Sequence, residues 1–310
     1  MTITSPASAD ASAHASASAH AAAHASAAGS LLLGGDLPVS RMGFGAMKLP
    51  ARDWDGPACD PVQSVAVLRR AVELGVDHID TAWFYFHQDV SANGLIREAL
   101  HPYRDGLVIA TKVGPGRNPD GSWQEPAGPA EVRAAVHRNL RELGVDRLDL
   151  VYLRRMPTQG SVAEGFAALA ELREEGLIRH LGVSNVDAAQ LAEAEAIAPV
   201  TAVQNRFSVL EHSADGAALL ADCTARGIAF VPFFPLGGSG VPDEAGLRRV
   251  AERHGATPAQ VMVAWLLALS PAILAIPGTS SPVHLEENVA AAALRLGPED
   301  LAELEALARA

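Results

Sequence analysis

Residues 62–80 read Val62-Gln63-Ser64-Val65-Ala66-Val67-Leu68-Arg69-Arg70-Ala71-Val72-Glu73-Leu74-Gly75-Val76-Asp77-His78-Ile79-Asp80. The stretch from Val62 to Leu74 is amphipathic at helical spacing, and Gly75 stands just past its last periodic residue. Glycine at that place supplies the left-handed cap that ends a helix. A short apolar run follows, His78-Ile79-Asp80, and it ends in a carboxylate. This is one helix delivered into one strand, and the chain repeats the unit.

Upstream and downstream, short apolar, β-branched runs stand at Met42 to Ala46, Leu107 to Lys112, Leu148 to Leu153, His180 to Ser184, Ala202 to Gln204, Ala229 to Phe233 and Ile273 to Ile276. Amphipathic stretches lie between them at Ala130 to Leu143, Val162 to Glu174 and Ala214 to Ala225, with Gly144, Gly176 and Gly227 as further caps. Strands that read as continuous apolar runs are covered on both faces, as in a parallel sheet. The pattern predicts an α/β chain folded as a (β/α)8 TIM barrel, with an open doubly wound sheet as the alternative. That alternative calls for a Gly-rich fingerprint after the first strand. Gly43-Phe44-Gly45 lacks the third glycine and the helix N-terminus that must follow. Before the first unit, Leu31-Leu32-Leu33, Gly34-Gly35-Asp36 and Leu37-Pro38-Val39 read as a β-hairpin turned by glycine. Residues 1–30 are almost entirely Ala, Ser and His and offer nothing large to bury. They are expected to be a disordered tail, and residues 31–310 a single barrel domain.

The chain has 310 residues, 49% of them hydrophobic, with 24 basic and 36 acidic side chains and a net charge of −12. That balance argues against nucleic-acid binding and against anionic membrane surfaces. No apolar run is long enough to span a bilayer. The tail lacks the basic start and apolar core of a secretory signal. Cys59 and Cys223 have no metal or redox spacing and read as free thiols in a reduced compartment. His14, His20 and His24 are not placed for a metal site, so no metal is expected. A cytoplasmic chain, monomeric or weakly self-associating, is the expectation.

Barrel chemistry sits where strands run out into the following loops. There the sequence places Asp80, then Tyr85, Lys112, Arg154 and Arg155, Ser184-Asn185, Gln204-Asn205, Phe233-Phe234-Pro235-Leu236-Gly237, and Pro277-Gly278-Thr279-Ser280-Ser281. A phenol with a pKa near 10 is a poor acid at neutral pH. An adjacent ammonium lowers that value, and a carboxylate behind it keeps the ammonium charged and aimed. Asp80, Tyr85 and Lys112 therefore form a proton donor for a carbonyl oxygen.

The segments Gly75 to Ala82 with Tyr85, Ile109-Ala110-Thr111-Lys112, Gly182-Val183-Ser184-Asn185 and Ile276 to Ser281 with Glu287-Asn288 resemble the aldo-keto reductase family in their order along residues 31–310. The resemblance implies the barrel fold and reduction of aldehydes or ketones with NADPH. It implies Tyr85 as the proton donor, Lys112 as the residue lowering its pKa, and Asp80 as the support of Lys112. Arg154 stands where the family usually has His. Arg has no acceptor and is always charged, but it can donate to a carbonyl oxygen or hold an anionic group of the substrate. The Leu153-Arg154-Arg155-Met156 stretch resembles the branch that reduces pyridoxal. Phe86 replaces the usual Gly after the tyrosine, and His87 beside it is a candidate for the substrate mouth with Trp54 and Trp123.

For the cofactor, the resemblance places Ser184, Asn185 and Gln204 at the nicotinamide carboxamide and Phe233 against its ring. Leu236, Gly237 and Gly238 fall at the pyrophosphate. Gly278, Thr279, Ser280, Ser281, His284, Glu287 and Asn288 fall at the adenosine 2′-phosphate and adenine. Gly45, Ala46 and Met47 stand where the family has its Gly-Thr at the first strand. No Lys or Arg lies between Pro277 and Asn288. Residue by residue, other readings stand beside these. Arg154 and Arg155 can be a rim ion pair, Phe233 and Phe234 barrel-top packing, Asn185 and Gln204 satisfied core amides, and His284 a surface histidine. A catalytically weak NADPH-binding regulatory protein on the same fold is the alternative to a carbonyl reductase.

Overall fold

The structure is a computed structural model, and it describes residues 24–52, 56–118, 120–237, 241 and 244–307. In chain order the strands are β1 (Ser30–Leu33), β2 (Leu37–Ser40), β3 (Phe44–Gly45), β4 (His78–Asp80), β5 (Phe86–His87), β6 (Val90–Ser91), β7 (Val108–Val113), β8 (Leu148–Arg154), β9 (Ile178–Ser184), β10 (Ala202–Gln204) and β11 (Ala229–Phe230). The helices are α1 (Pro61–Glu73), α2 (Ala92–Leu100), α3 (Pro129–Leu143), α4 (Ala163–Glu174), α5 (Ala188–Glu195), α6 (Ala214–Arg226), α7 (Ala245–His254), α8 (Pro258–Leu269), α9 (Pro282–Ala290) and α10 (Pro298–Leu307).

Seven strands form one sheet in the order β11-β10-β9-β8-β7-β4-β3, and every pairing in it is parallel. The segment expected as the last strand, Ile273 to Ile276, is too irregular to be a ladder strand, yet it bridges both sheet edges. Ile273 pairs with Phe230 and Ala275 with Met42. Backbone bonds from Leu274 to Phe230 (3.0 Å) and from Gly43 to Ala275 (2.8 Å) carry the link. The sheet thus curls round until its edges are joined, with helices outside.

The antiparallel β1–β2 hairpin stands as expected. Its Leu33, Leu37 and Val39 are buried with Val108, Leu150, Val231 and Leu274, which fill the inside of the curled sheet. Gly34 lies in the left-handed region, and a Cβ there would meet the His180 ring at 2.1 Å. Asp36 in the turn takes bonds from Arg179 and His180. The hairpin therefore stops the end of the sheet opposite the strand carboxyl ends. The larger core lies between sheet and helices, around Phe44, Phe166, Leu169 and Trp265.

The tail boundary at residue 30 needs correction. Ala25–Ala28 form a 3-10 turn, Ala25 is buried, and its N–H donates to the Leu74 carbonyl at 2.9 Å. The His24 ring packs against Gly75. Small residues suffice here because the turn caps an existing surface and needs no core of its own. Residues 1–23, including His14 and His20, lie outside the described residues. Among the described residues, no helix is long and apolar enough to cross a membrane.

Candidate active site

The carboxyl ends of the parallel strands open into a cavity of about 820 Å³. Its wall includes Asp80 from β4, Lys112 from β7, Arg154 from β8, Ser184 from β9 and Gln204 from β10, together with Tyr85 from the loop after β4. Alternation along the strands aims these side chains inward. In register, Lys112 stands beside Tyr152 and Asp80 beside Ala110.

Lys112 is 3% exposed and ion-paired with Asp80, which is 2% exposed. The same ammonium donates to the Thr81 carbonyl at 2.9 Å and lies 4.9 Å from the centre of the Tyr85 ring. The second oxygen of Asp80 accepts from Gln204 Nε2 at 2.7 Å. Burial opposes the charge on Lys112, but Asp80 and then Tyr85 outweigh it and hold its pKa above the ordinary value. Burial dominates at Tyr85 and leaves its pKa raised, although Lys112 and Arg154 both act to lower it. This corrects the expectation of a net lowered phenol. Lys112 offsets a desolvation cost that the sequence does not display.

Behind these groups runs a buried polar network that sequence reading did not find. Thr81 Oγ1 donates to Asn93 Oδ1 (2.9 Å), Asn93 Nδ2 to Asn139 Oδ1 (3.0 Å), and Thr111 Oγ1 to the same oxygen (2.7 Å). It ties the residues flanking Asp80 and Lys112 to α2 and α3. The available signal was polar residues on the apolar faces of those two helices.

Arg154 and Arg155 part company. Arg155 donates to the carbonyls of Asn185 (2.7 Å), Met156 (2.9 Å) and Gln159 (2.6 Å), which fastens the loops after β8 and β9 together. Arg154 faces the cavity. Its guanidinium lies 4.0 Å from the centre of the Trp123 ring and 5.8 Å from that of Phe84, and it donates to Met156 Sδ. Burial lowers its pKa from the usual arginine value, and among the described residues it forms no ion pair.

Of the residues assigned to the cofactor, Gly45, Met47, Ser184, Gln204, Phe233, Leu236, Gly237, Gly278, Thr279, Ser280, Ser281, His284, Glu287 and Asn288 line this cavity. Ala46 and Asn185 do not. Ala46 is buried in a 3-10 turn. Asn185 holds a left-handed φ of 62° and donates to the Arg155 carbonyl at 3.3 Å, as a structural amide. Phe233 meets Phe234 edge-on at 5.3 Å. Trp123 lines the cavity, whereas Phe86 and His87 form the β5–β6 hairpin beside it. Gly238 and Trp54 lie outside the described residues. Phe234, read as packing or stacking surface, lines the wall as well; Lys48, Arg52 and Gln63 also line it and were missed. They come from segments brought over the opening by long-range packing.

Two observations test this wall against a dinucleotide. Gln204 Oε1 is buried without a hydrogen-bond partner, an acceptor suited to the N–H of a carboxamide. At the far end, Thr279, Ser280, Ser281, His284 and Asn288 line the wall around the start of α9, and their hydroxyl, imidazole and amide groups are donors suited to a phosphate. Gly278 must lack a side chain, because a Cβ there would lie 2.4 Å from the Gly45 carbonyl.

The model of the Aldo/keto reductase family matches residues 41–309. The chain belongs to that family. It is 48% identical over 282 residues to pyridoxine 4-dehydrogenase of Escherichia coli strain K12, covering 89% of this chain and 97% of that protein. An uncharacterised oxidoreductase of Schizosaccharomyces pombe is 40% identical, over 87% of each. Among solved structures, an aldo/keto reductase from Klebsiella pneumoniae in complex with NADP and acetate is 28% identical. It superposes with a TM-score of 0.75 over 90% of this chain and 94% of that one.

Proposed function

We propose that this oxidoreductase uses NADPH to reduce an aldehyde or ketone to the alcohol, and that its substrate is pyridoxal or a similar aromatic aldehyde bearing an anionic group. The observation that carries the reading is the buried Asp80–Lys112–Tyr85 set facing an arginine without an acid partner across one cavity. The relative named for pyridoxine oxidation supports the choice of substrate class.

The hydride for the carbonyl carbon would come from NADPH held in this cavity. Ser184 and the free oxygen of Gln204 would hold its carboxamide, Phe233 its ring, and Leu236 and Gly237 its pyrophosphate. Gly278 to Ser281 with His284, Glu287 and Asn288 would hold the adenosine end. Lys48 and Arg52 add cations to the cavity wall that residues 277–288 do not provide. Tyr85 transfers its hydroxyl proton to the carbonyl oxygen, and Lys112 stabilises the phenolate left behind. Asp80 keeps Lys112 charged. Arg154 holds the phenolate of the substrate ring from the opposite wall, with Trp123 as an apolar plate beneath the guanidinium.

The test is the initial rate of NADPH oxidation with pyridoxal and with a neutral aromatic aldehyde, in the parent protein and in Arg154→Met. A charge-assisted bond contributes ~1.5–3 kcal/mol, about 10- to 150-fold. KM for pyridoxal should rise by that factor in the variant, while KM for the neutral aldehyde stays within about threefold. Equal losses on both substrates would show that Arg154 reads no charge. Absence of turnover on either by the parent protein would reject the substrate class. Nothing in the site favours the regulatory alternative.

A further inference from the structure

We propose that Gln204 is a positioning residue for the proton donor: its amide holds the Asp80 carboxylate toward Lys112 and so sets the acidity of Tyr85. This role goes beyond contact with the cofactor, and it rests on Tyr85 as the acid.

Gln204 is fully buried. Its amide has two possible orientations, and the 2.7 Å approach to Asp80 Oδ2 permits only one, with the NH2 group toward the carboxylate. An oxygen turned that way would face another oxygen at contact distance. With Oδ2 held from β10, Oδ1 is the oxygen left for Lys112 on β7. Three strands thus fix one carboxylate, and its rotation is no longer free. The amide N–H also draws charge from the carboxylate. Less negative charge near Tyr85 makes its phenolate easier to form.

The remaining amide atom, Oε1, points to no protein partner. When it accepts an N–H from a carboxamide in the cavity, the opposite NH2 becomes a better donor, because bonds in a chain polarise one another. Gln204 then joins the seat of the nicotinamide to Asp80, Lys112 and Tyr85 in one line of hydrogen bonds.

The charged groups facing Tyr85 are Lys112 from β7, Asp80 from β4 and Arg154 from β8. Asp80 is also faced by His78 and Tyr152. Both are neutral near pH 7, since burial holds His78 down to about 4 and raises the Tyr152 hydroxyl. A substitution at Gln204 removes none of these five charged or titratable groups, so a change at Tyr85 reports the amide and the carboxylate it holds.

The experiment is a pH titration of ring-carbon NMR signals in cofactor-free protein carrying 13C-labelled tyrosine. The chain has only Tyr85, Tyr103 and Tyr152, so the signals are few. Gln204→Met keeps the shape and removes the amide; Gln204→Asn keeps an amide too short to reach Asp80. Both should move the Tyr85 midpoint measurably up, because Asp80 without the amide N–H presents more negative charge to the phenolate. The Tyr103 signal reports that each variant is folded. A Tyr85 midpoint unmoved in either folded variant, with NADPH binding weakened, overturns the proposal and leaves Gln204 a cofactor contact alone. Lys112→Met in the same titration separates this from failure of the donor reading. A shift in Lys112→Met with none at Gln204 rejects only the role of Gln204, whereas no shift in Lys112→Met rejects the ammonium–phenol coupling itself.

Discussion

Lys112→Met removes one buried charge and keeps most of the stem volume. In the parent protein the ammonium pairs with Asp80, donates to the Thr81 carbonyl at 2.9 Å and lies beside Tyr85. Asp80 then keeps only the Gln204 bond at 2.7 Å, at 2% exposure. Breaking a buried pair from one side costs ~3–5 kcal/mol, and the Gln204 bond places this case at the lower end. Urea unfolding at neutral pH should show a loss of about 3 kcal/mol. Catalysis should suffer separately. Burial still raises the Tyr85 pKa, and the main influence opposing it is gone. Loss of a positioned proton donor reduces kcat by ~10²–10⁴-fold, or ~2.7–5.4 kcal/mol of barrier. The folded pKa of Lys112 is raised above 10.5. Its stabilising linkage is therefore fully present below about pH 10.5 and declines as pH climbs through the folded value. The stability gap between parent and variant should narrow in that alkaline range. A variant that unfolds like the parent would refute the pairing, and one that keeps kcat within threefold would refute the part given to Lys112 in proton donation.

Tyr85→Phe should lose ~10²–10⁴-fold in kcat while the NADPH dissociation constant, read by fluorescence titration, changes less than about threefold. Asn139→Ala leaves Thr111 Oγ1 and Asn93 Nδ2 without their shared acceptor, so chemical denaturation should show a loss of ~1–3 kcal/mol. At Asp300, burial acts to raise the pKa. Bonds from His254, Arg253 and the Gly297 N–H outweigh it and hold the carboxyl down to about 2. The stability it contributes is present above its ordinary value of 3.8 and is lost as pH falls toward 2. Thermal melts of Asp300→Asn should accordingly differ from the parent at pH 6 and converge with it near pH 2.

Sequence by itself determined the alternation of strand and helix, because period and caps are local. Gly144 and Gly227 take left-handed conformations at helix ends, and the helix expected at Val62 to Leu74 spans Pro61–Glu73. The strand ends bearing Asp80, Lys112 and Gln204 were legible for the same reason. A charged or amide group closing an apolar run has to face something polar. Local signals also made the hairpin visible, but not the lid that Ala25–Ala28 form, since a run of small residues carries no periodicity.

Tertiary structure alone decided what distance and burial decide. Arg154 and Arg155 are neighbours in sequence with the same side chain, yet one faces a cavity and the other fastens two loops. Their strand-end register separates them. Ser184 and Asn185 divide in the same way, one on the cavity wall and the other turned back on the Arg155 carbonyl. The sign of the Tyr85 shift depended on desolvation, which is a property of everything packed around the ring. The bond between Gln204 and Asp80 joins residues 124 positions apart. Only the curl of the sheet brings them within reach.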